Sequence, residues 1–412
     1  MNRIIIIGNG FDLAHGLKTR YEDFINWYFD EWVQKLRVCH KHRESDELCE
    51  YVSKNNHWYN VLYENYNIIT KQPDGKGLIY AIKGNPYFDY KQSRFLERIT
   101  KCIEKNNWVD IEKEYYNLLS LDFESSDNES IAKLNNELAF LKSQLIAYLN
   151  SIEKEFINDS IVKGSIKAKM LEPINPRDIS IRAKKNIWTD FVKNRLNNSD
   201  LDELLGCYCD NFKAKIRIKN FKSVNQDQIN YMGINSINDE EFPRELFYPD
   251  NILLLNFNYT RTADLYLPNE EIFKVNHIHG DLSDKSNIIF GYGDELDDNY
   301  KNILKQDNNE YLKNIKSINY LNSTNYREML SYIESSPYQI YIMGHSCGLS
   351  DKTLLNTLFE HDNCVSIKPF YYINNEGFDN YTEIVQNISR NFTDMKLMRD
   401  RVVNKTFCKT LE

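Results

Sequence analysis

Several stretches of this 412-residue chain carry an apolar run into residue types that do chemistry. Four isoleucines lead into Gly8-Asn9-Gly10-Phe11-Asp12. Paired glycines after a strand let the backbone approach a phosphate with its N–H groups facing it, although a tight turn after any buried strand would also use them. Asn256-Phe257-Asn258-Tyr259, His277-Ile278-His279-Gly280-Asp281 and Gly344-His345-Ser346 close three more apolar runs, and Ile288-Ile289-Phe290 leads into Gly291-Tyr292-Gly293-Asp294-Glu295. His279 suits a base, because imidazole has the ordinary pKa closest to neutrality. Asn258 suits placement of water or a sugar hydroxyl; its plainer reading is a strand-end cap. His277, His279 and Asp281 also fit a metal-dependent hydrolase, with His345, His361, Asp294 or Glu295 completing the ligands, while packing in the sheet is the plainer reading of His277. Gly344-x-Ser346-x-Gly348 matches a nucleophile elbow, but Asp351 and His361 follow too closely for the usual acid and histidine.

These residues need elements that bring them together. Ile4 to Ile7 has no polar interruption and predicts a central parallel strand buried on both faces. No third glycine follows three residues after Gly10, so a long loop holding Asp12, His15, Lys18 and Arg20 is expected before the first helix. Thr19-Arg20-Tyr21-Glu22 reads as a capping box opening a helix over about Arg20 to Leu36, whose wide apolar stripe includes Phe24, Tyr28, Trp32, Ile25, Phe29 and Val33. Ligands bind outside the carboxyl ends of strands in open α/β sheets, so the polar strand ends would converge with the Gly8 loop on one crevice. Ser350 or Asp351 would cap a following helix with Leu354, Leu355, Leu358 and Phe359 on its buried face.

Between the strand-rich ends the text changes character. Trp108, Ile111, Tyr115, Leu118 and Leu119 keep helical intervals, as do Ile131, Leu134, Leu138, Leu141, Leu145, Ala147 and Leu149 on a helix of about Asn128 to Asn158. Glu172-Pro173-Ile174-Asn175-Pro176 is a break. The domains expected are a nucleotide-binding core from residues 1–37 and 246–412, and an α-rich insertion over 38–245. A net charge of −9 and a pI near 5.6 argue against broad nucleic-acid binding; the basic run Lys213 to Lys222 reads as a solvated face. No apolar stretch approaches the roughly 20 residues that cross a bilayer, and no signal peptide is read, so a cytoplasmic protein is expected. The eight cysteines form no C-x-x-C pair, Cys207 and Cys209 included, and read as reduced thiols.

Gly8-Asn9-Gly10-Phe11-Asp12-Leu13-Ala14-His15-Gly16-Leu17 with Thr19, Tyr21 and Phe24, then Asn256 to Thr260, His279-Gly280, Gly344-His345-Ser346 and Leu349-Ser350-Asp351, resembles the bacteriophage abortive-infection AbiH family. In the middle only the helical character and Trp108 to Glu112 match. The pattern is in turn similar to sirtuin-like NAD-binding domains: Gly8, Gly10 and Gly16 have the spacing of that glycine loop, Asn258 stands where those enzymes place the Asn that holds ribose and water, His279-Gly280 where they place the catalytic His before a Gly, and Gly344-His345-Ser346 resembles their Gly-x-Ser turn near the ribose and phosphates. Thr260 replaces the usual Asp, Arg20 is one place off, and no four-cysteine zinc module is present, which speaks against protein deacylation. The resemblance implies a Rossmann-like (sirtuin-like) α/β fold, with a parallel sheet from both chain ends and a large α-helical insertion. It implies a phage-defence effector that binds NAD or a related nucleotide and hydrolyses it when triggered. Asn258 and His279 would be catalytic, and Gly8, Asn9, Gly10, Phe11, Asp12, His15, Gly344, His345 and Ser346 would bind the cofactor, with no metal. A phage-derived trigger, and an oligomer or partner subunit engaged through the insertion, are the expected partners. The rivals are a non-catalytic nucleotide sensor and the metal-dependent hydrolase.

Overall fold

The computed structural model describes residues 1–39, 43–53, 88–106, 109–125, 128–157, 162–180, 183, 248–267, 271–295 and 297–412. Its centre is β1 (Asn2–Ile7), buried at all six positions. β1 pairs with β5 (Ile252–Asn256) on one side and β7 (Tyr338–Met343) on the other; β6 (Phe273–His277) and β8 (Cys364–Phe370) lie outside them, giving the order β6-β5-β1-β7-β8 with every pair parallel. Uninterrupted apolar strands require cover on both faces. Ile4, Ile6, Leu253, Leu255, Ile340 and Ile342 meet Met329, Ile333, Leu354, Leu358 and Ile388 from helices Asn325–Ser335, Lys352–Glu360 and Tyr381–Arg390. The alternate residues Ile5, Ile7, Leu254, Tyr341 and Met343 meet Phe11, Ile166, Met170 and Tyr266.

Register sets up the site. His277, Asn256, Ile7, Met343 and Phe370 are paired in one row across the sheet, so the chain leaves five strands at one level edge. From β1 the connection runs outward to β5 and β6, then returns past β1 to β7 and β8. The outward and returning halves part between β1 and β7, and that crevice is where such sheets take ligands.

Three expectations are corrected. No long loop follows β1: Gly8 is extended and α1 (Asn9–Ala14) begins at once, because Phe11 N–H closes onto Gly8 O at 2.9 Å. Gly16, at φ +91°, ends this turn, and α2 (Tyr21–Cys39) starts after it. Thr19 makes no capping box, since its hydroxyl donates to Asn9 Oδ1. Ile288-Ile289-Phe290 is not a strand; Ile289 N–H is taken by His279 O and Gly291 N–H by Glu112, which holds the segment as an irregular buried run. β8 was not anticipated, because Ser366, Lys368 and Pro369 break its apolar pattern; as an edge strand it accommodates the proline.

Within the expected insertion, β2 (Arg43–Ser45), β3 (Cys49–Ser53) and β4 (Phe88–Gln92) form a small antiparallel sheet. Helices α3 (Arg94–Asn106), α4 (Ile111–Ser125) and α5 (Asn128–Ile157) follow. Their apolar faces join Phe24, Tyr28 and Trp32 of α2 and Leu282, Phe290 and Tyr311 in one cluster, so α2 packs with the helices rather than under the sheet. Tyr148 of α5 donates to Lys18 O at 2.6 Å, fastening this block beside the glycine turn. The Lys213 to Lys222 run, Cys207, Cys209 and Trp108 lie outside the described residues. Cys49, Cys102, Cys347, Cys364 and Cys408 are free thiols. No described helix is long and apolar enough to cross a membrane.

Candidate functional site

A cleft of about 870 Å³ opens at the level edge, within the size range of small-molecule sites. Its floor is made by the turns after β1 and β7, which touch backbone to backbone. A Cβ on Gly8 would sit 2.5 Å from His345 Cα, one on Gly10 2.9 Å from Gly344 Cα, and one on Gly344, at φ +80°, 2.1 Å from Phe11 N. Glycine is needed at all three positions. The N–H groups expected to face a phosphate are engaged instead: Gly8 donates to Met343 O at 3.3 Å and Gly10 to Gly344 O at 2.8 Å. The glycines join two turns rather than presenting an open anion cradle.

The turn after β5 is tied to the same floor. Asn256 Oδ1 accepts Asn258 N–H at 3.0 Å, and this aims the Asn258 amide, which donates to Gly8 O at 3.0 Å. Asp12, on α1, is only 1% exposed and lines the cleft. Its Oδ2 accepts the Thr260 hydroxyl at 2.5 Å, while its Oδ1 has no hydrogen-bond partner. Burial pushes the Asp12 carboxyl up to about 6, against the hydrogen bonds of Thr260, Thr262 and Asn258. Thr260 thus supplies a donor to the buried Asp12 carboxyl.

Behind this floor lies a buried charge network. His279 Nε2 stands 3.3 Å from Asp351 Oδ1 and 3.2 Å from the Tyr320 hydroxyl, and the Phe257 ring lies nearly perpendicular to the imidazole, centroids 5.1 Å apart. Cys347 N–H donates to His345 Nδ1 at 2.9 Å, which leaves the His345 proton on Nε2, 3.6 Å from Asp351 Oδ2. Lys316 Nζ reaches Asp351 Oδ1 at 2.7 Å and Glu112 Oε2 at 2.9 Å, and Gly291 N–H holds Glu112 Oε1 at 3.0 Å. Burial and Lys316 lower the His279 imidazole below its ordinary value. Burial alone would raise Asp351, but Lys316, His279 and His345 outweigh it and hold the carboxylate well below its usual range. Burial also opposes the Lys316 charge, yet Asp351 and Glu112 keep it above the ordinary lysine value. Glu112 remains pushed up to about 7 by burial despite Lys316.

Of the expected site residues, Gly8, Asn9, Gly10, Asp12, Asn258, His279, Gly344, His345 and Ser346 all line this cleft. Phe11 and His15 turn away from it. Phe11 packs with Ile5 and Ile7, and both His15 ring nitrogens are taken, by Phe11 O at 2.7 Å and the Tyr266 hydroxyl at 2.8 Å. The three-residue metal set does not assemble either. His277 engages Asp264 at 3.0 Å and Asn256 at 3.2 Å, Asp281 caps Ser283 N–H, and among the described residues no three His, Cys, Asp or Glu side chains group as metal ligands do. No relay reaches Ser346, since Asp351 serves the two histidines and His361 pairs with Glu334. Asp351, with Ser350 one of the two expected helix caps, makes no cap bond through its side chain and is the hub of the network. Lys316 carries no sequence signal; Glu112 falls in the one middle segment that matched the family pattern.

A family model described as bacteriophage abortive infection AbiH matches residues 4–373, and the chain belongs to that family. No curated protein and no solved structure matches the chain.

Proposed function

We propose that this AbiH-family chain binds NAD or a related nucleotide in the cleft between β1 and β7 and, when triggered by a phage component in the cytoplasm, hydrolyses it. The observation that carries the reading is the convergence of Asn258, Asp12, His279 and the turns after β1 and β7 on one cleft of about 870 Å³. Counted within the sheet, the strand order is 3-2-1-4-5, that of the first five strands of doubly wound dinucleotide folds, and the cleft lies at the switch point. The family supplies the setting of abortive infection.

The chemistry follows from the buried pair. His279, neutral at working pH because burial lowers its pKa, donates from Nε2 to Asp351 and keeps its Nδ1 lone pair as a base. Water attacks the ribose anomeric carbon as the nicotinamide–ribose bond breaks; nicotinamide leaves with the bonding pair, and the water's proton passes to Nδ1. Asn258 holds the water or a ribose hydroxyl, and the Asp351 carboxylate stabilises the imidazolium that forms.

The test is nicotinamide release from NAD by purified protein, with and without phage lysate. Release that His279→Ala and Asn258→Ala abolish, with nucleotide binding retained, supports the effector. A second reading, binding without turnover as a sensor, is favoured by one observation: His279 is 3% exposed and its Nε2 is already shared between Asp351 and Tyr320. Binding with no release under any condition supports that reading instead.

A further inference from the structure

Glu112 is not the only residue that the helical block sends into the cleft, for Asp110, two positions earlier, lines it as well. Asp110 caps α4: its Oδ1 accepts Lys113 N–H at 3.0 Å, which fixes the carboxylate and leaves Oδ2 beside the turn after β7. A Cβ on Gly348 would lie 3.7 Å from Asp110 Oδ2, 3.7 Å from Ser346 Oγ and 3.9 Å from Ser350 Oγ, so the three oxygens surround the point where Gly348 lacks a side chain. Both serines line the cleft. Among the described residues none of these three oxygens has a hydrogen-bond partner, and none is sealed from solvent. Their chemistry selects the group they would hold. A carboxylate oxygen accepts, and a hydroxyl both donates and accepts. A phosphate would meet Asp110 without a cation to offset it, since Lys316 is held by Asp351 and Glu112 and Lys113 does not line the cleft. A metal ion would need several more ligands, and among the described residues no three His, Cys, Asp or Glu side chains group to supply them. A vicinal pair of sugar hydroxyls satisfies all three oxygens, donating to Asp110 and accepting from the serines. The niche adjoins the reacting end of the cleft, because Asp351, which follows Ser350, carries His279.

We propose that Asp110, with Ser346 and Ser350, binds the vicinal hydroxyls of the ligand's nicotinamide ribose, so that the helical block reads the sugar at which the bond is broken. The inference rests on the nucleotide reading and adds to it a preference for ribosyl over deoxyribosyl ligands at one sugar only. A site built to hydrogen-bond a hydroxyl rejects the analogue that lacks it, because its own polar groups are then left unpaired.

The experiment is calorimetric titration of the full chain, without phage lysate, with NAD and with analogues lacking the 2′- or 3′-hydroxyl of either the nicotinamide ribose or the adenosine ribose. In the wild type, loss of a nicotinamide-ribose hydroxyl is expected to weaken binding about tenfold or more, while loss of an adenosine-ribose hydroxyl changes it little. Asp110→Asn keeps an oxygen to cap Lys113 N–H and puts a donor where Oδ2 accepts. In this variant NAD itself binds about tenfold more weakly, and the discrimination against the nicotinamide-ribose analogues shrinks to about twofold or less. Analogues that all bind the wild type as tightly as NAD, or discrimination confined to the adenosine ribose, overturn the inference and leave nucleotide binding intact. Discrimination that survives undiminished in Asp110→Asn overturns it too, the hydroxyls then being read by other groups. Failure of NAD to bind overturns the nucleotide reading and this inference with it. The wild-type series does not depend on how the variant folds.

Discussion

Asp12 makes a prediction about stability. Its carboxyl rises from 3.8 to about 6 on folding, chiefly through burial. At about 1.4 kcal/mol per pKa unit this corresponds to about 3 kcal/mol. The folded state holds the proton more tightly than the unfolded state between these two values, so folding stability falls as pH rises through this window and levels off above it. Asn is close in shape to the protonated carboxyl and keeps an acceptor for Thr260. Asp12→Asn is therefore expected to match wild type near about pH 4 and to be more stable by about 3 kcal/mol above about pH 7. Urea denaturation of both proteins across this range, read by tryptophan fluorescence, gives the difference directly, and other titrating groups cancel between them. A variant that is less stable at neutral pH, or a difference flat from acid to neutral, would refute the reasoning.

Other outcomes follow from the same geometry. Lys316→Met leaves Asp351 and Glu112 buried without their counter-charge and should cost about 3–5 kcal/mol in urea denaturation; an unchanged midpoint would show that the network contributes nothing. Glu112, raised to about 7 by burial, likewise makes stability fall as pH rises from its ordinary 4.5 to that value, so Glu112→Gln should flatten the pH dependence of melting over this interval. Gly344→Ala should prevent folding, since its Cβ would lie 2.1 Å from Phe11 N, whereas Gly16→Ala, with nothing within 4 Å of its Cβ, should cost only the positive-φ strain of about 1–2 kcal/mol. Chelation and His277→Ala should leave nicotinamide release unchanged; loss of release with both would return the metal-dependent hydrolase to contention.

The central strands were legible because β1, β5 and β7 are continuous apolar runs ending in polar residues, and only a sheet covered on both faces asks for that pattern. α5 was legible from its regular leucines, with observed bounds Asn128–Ile157 against the expected Asn128 to Asn158. β8 was not, since a strand at the sheet edge tolerates Ser366, Lys368 and Pro369 and loses the period that would announce it. The glycines were correctly singled out, but their cause is a contact between turns more than three hundred residues apart in sequence, which no local spacing reveals. Asp351 stands where a helix cap would, and nothing nearby in sequence shows that its carboxylate reaches His279, His345 and Lys316 instead. Lys316 sits in a polar stretch without a motif; tertiary placement alone makes it part of the site.

The most direct test of the central claim is photo-crosslinking with an azido analogue of NAD, followed by mapping of the labelled peptides. The account expects label on the segments holding Gly8 to Asp12, Asn258 or Gly344 to Ser346, competed away by NAD. Label confined to surfaces away from these turns, or label that NAD does not displace, would contradict it.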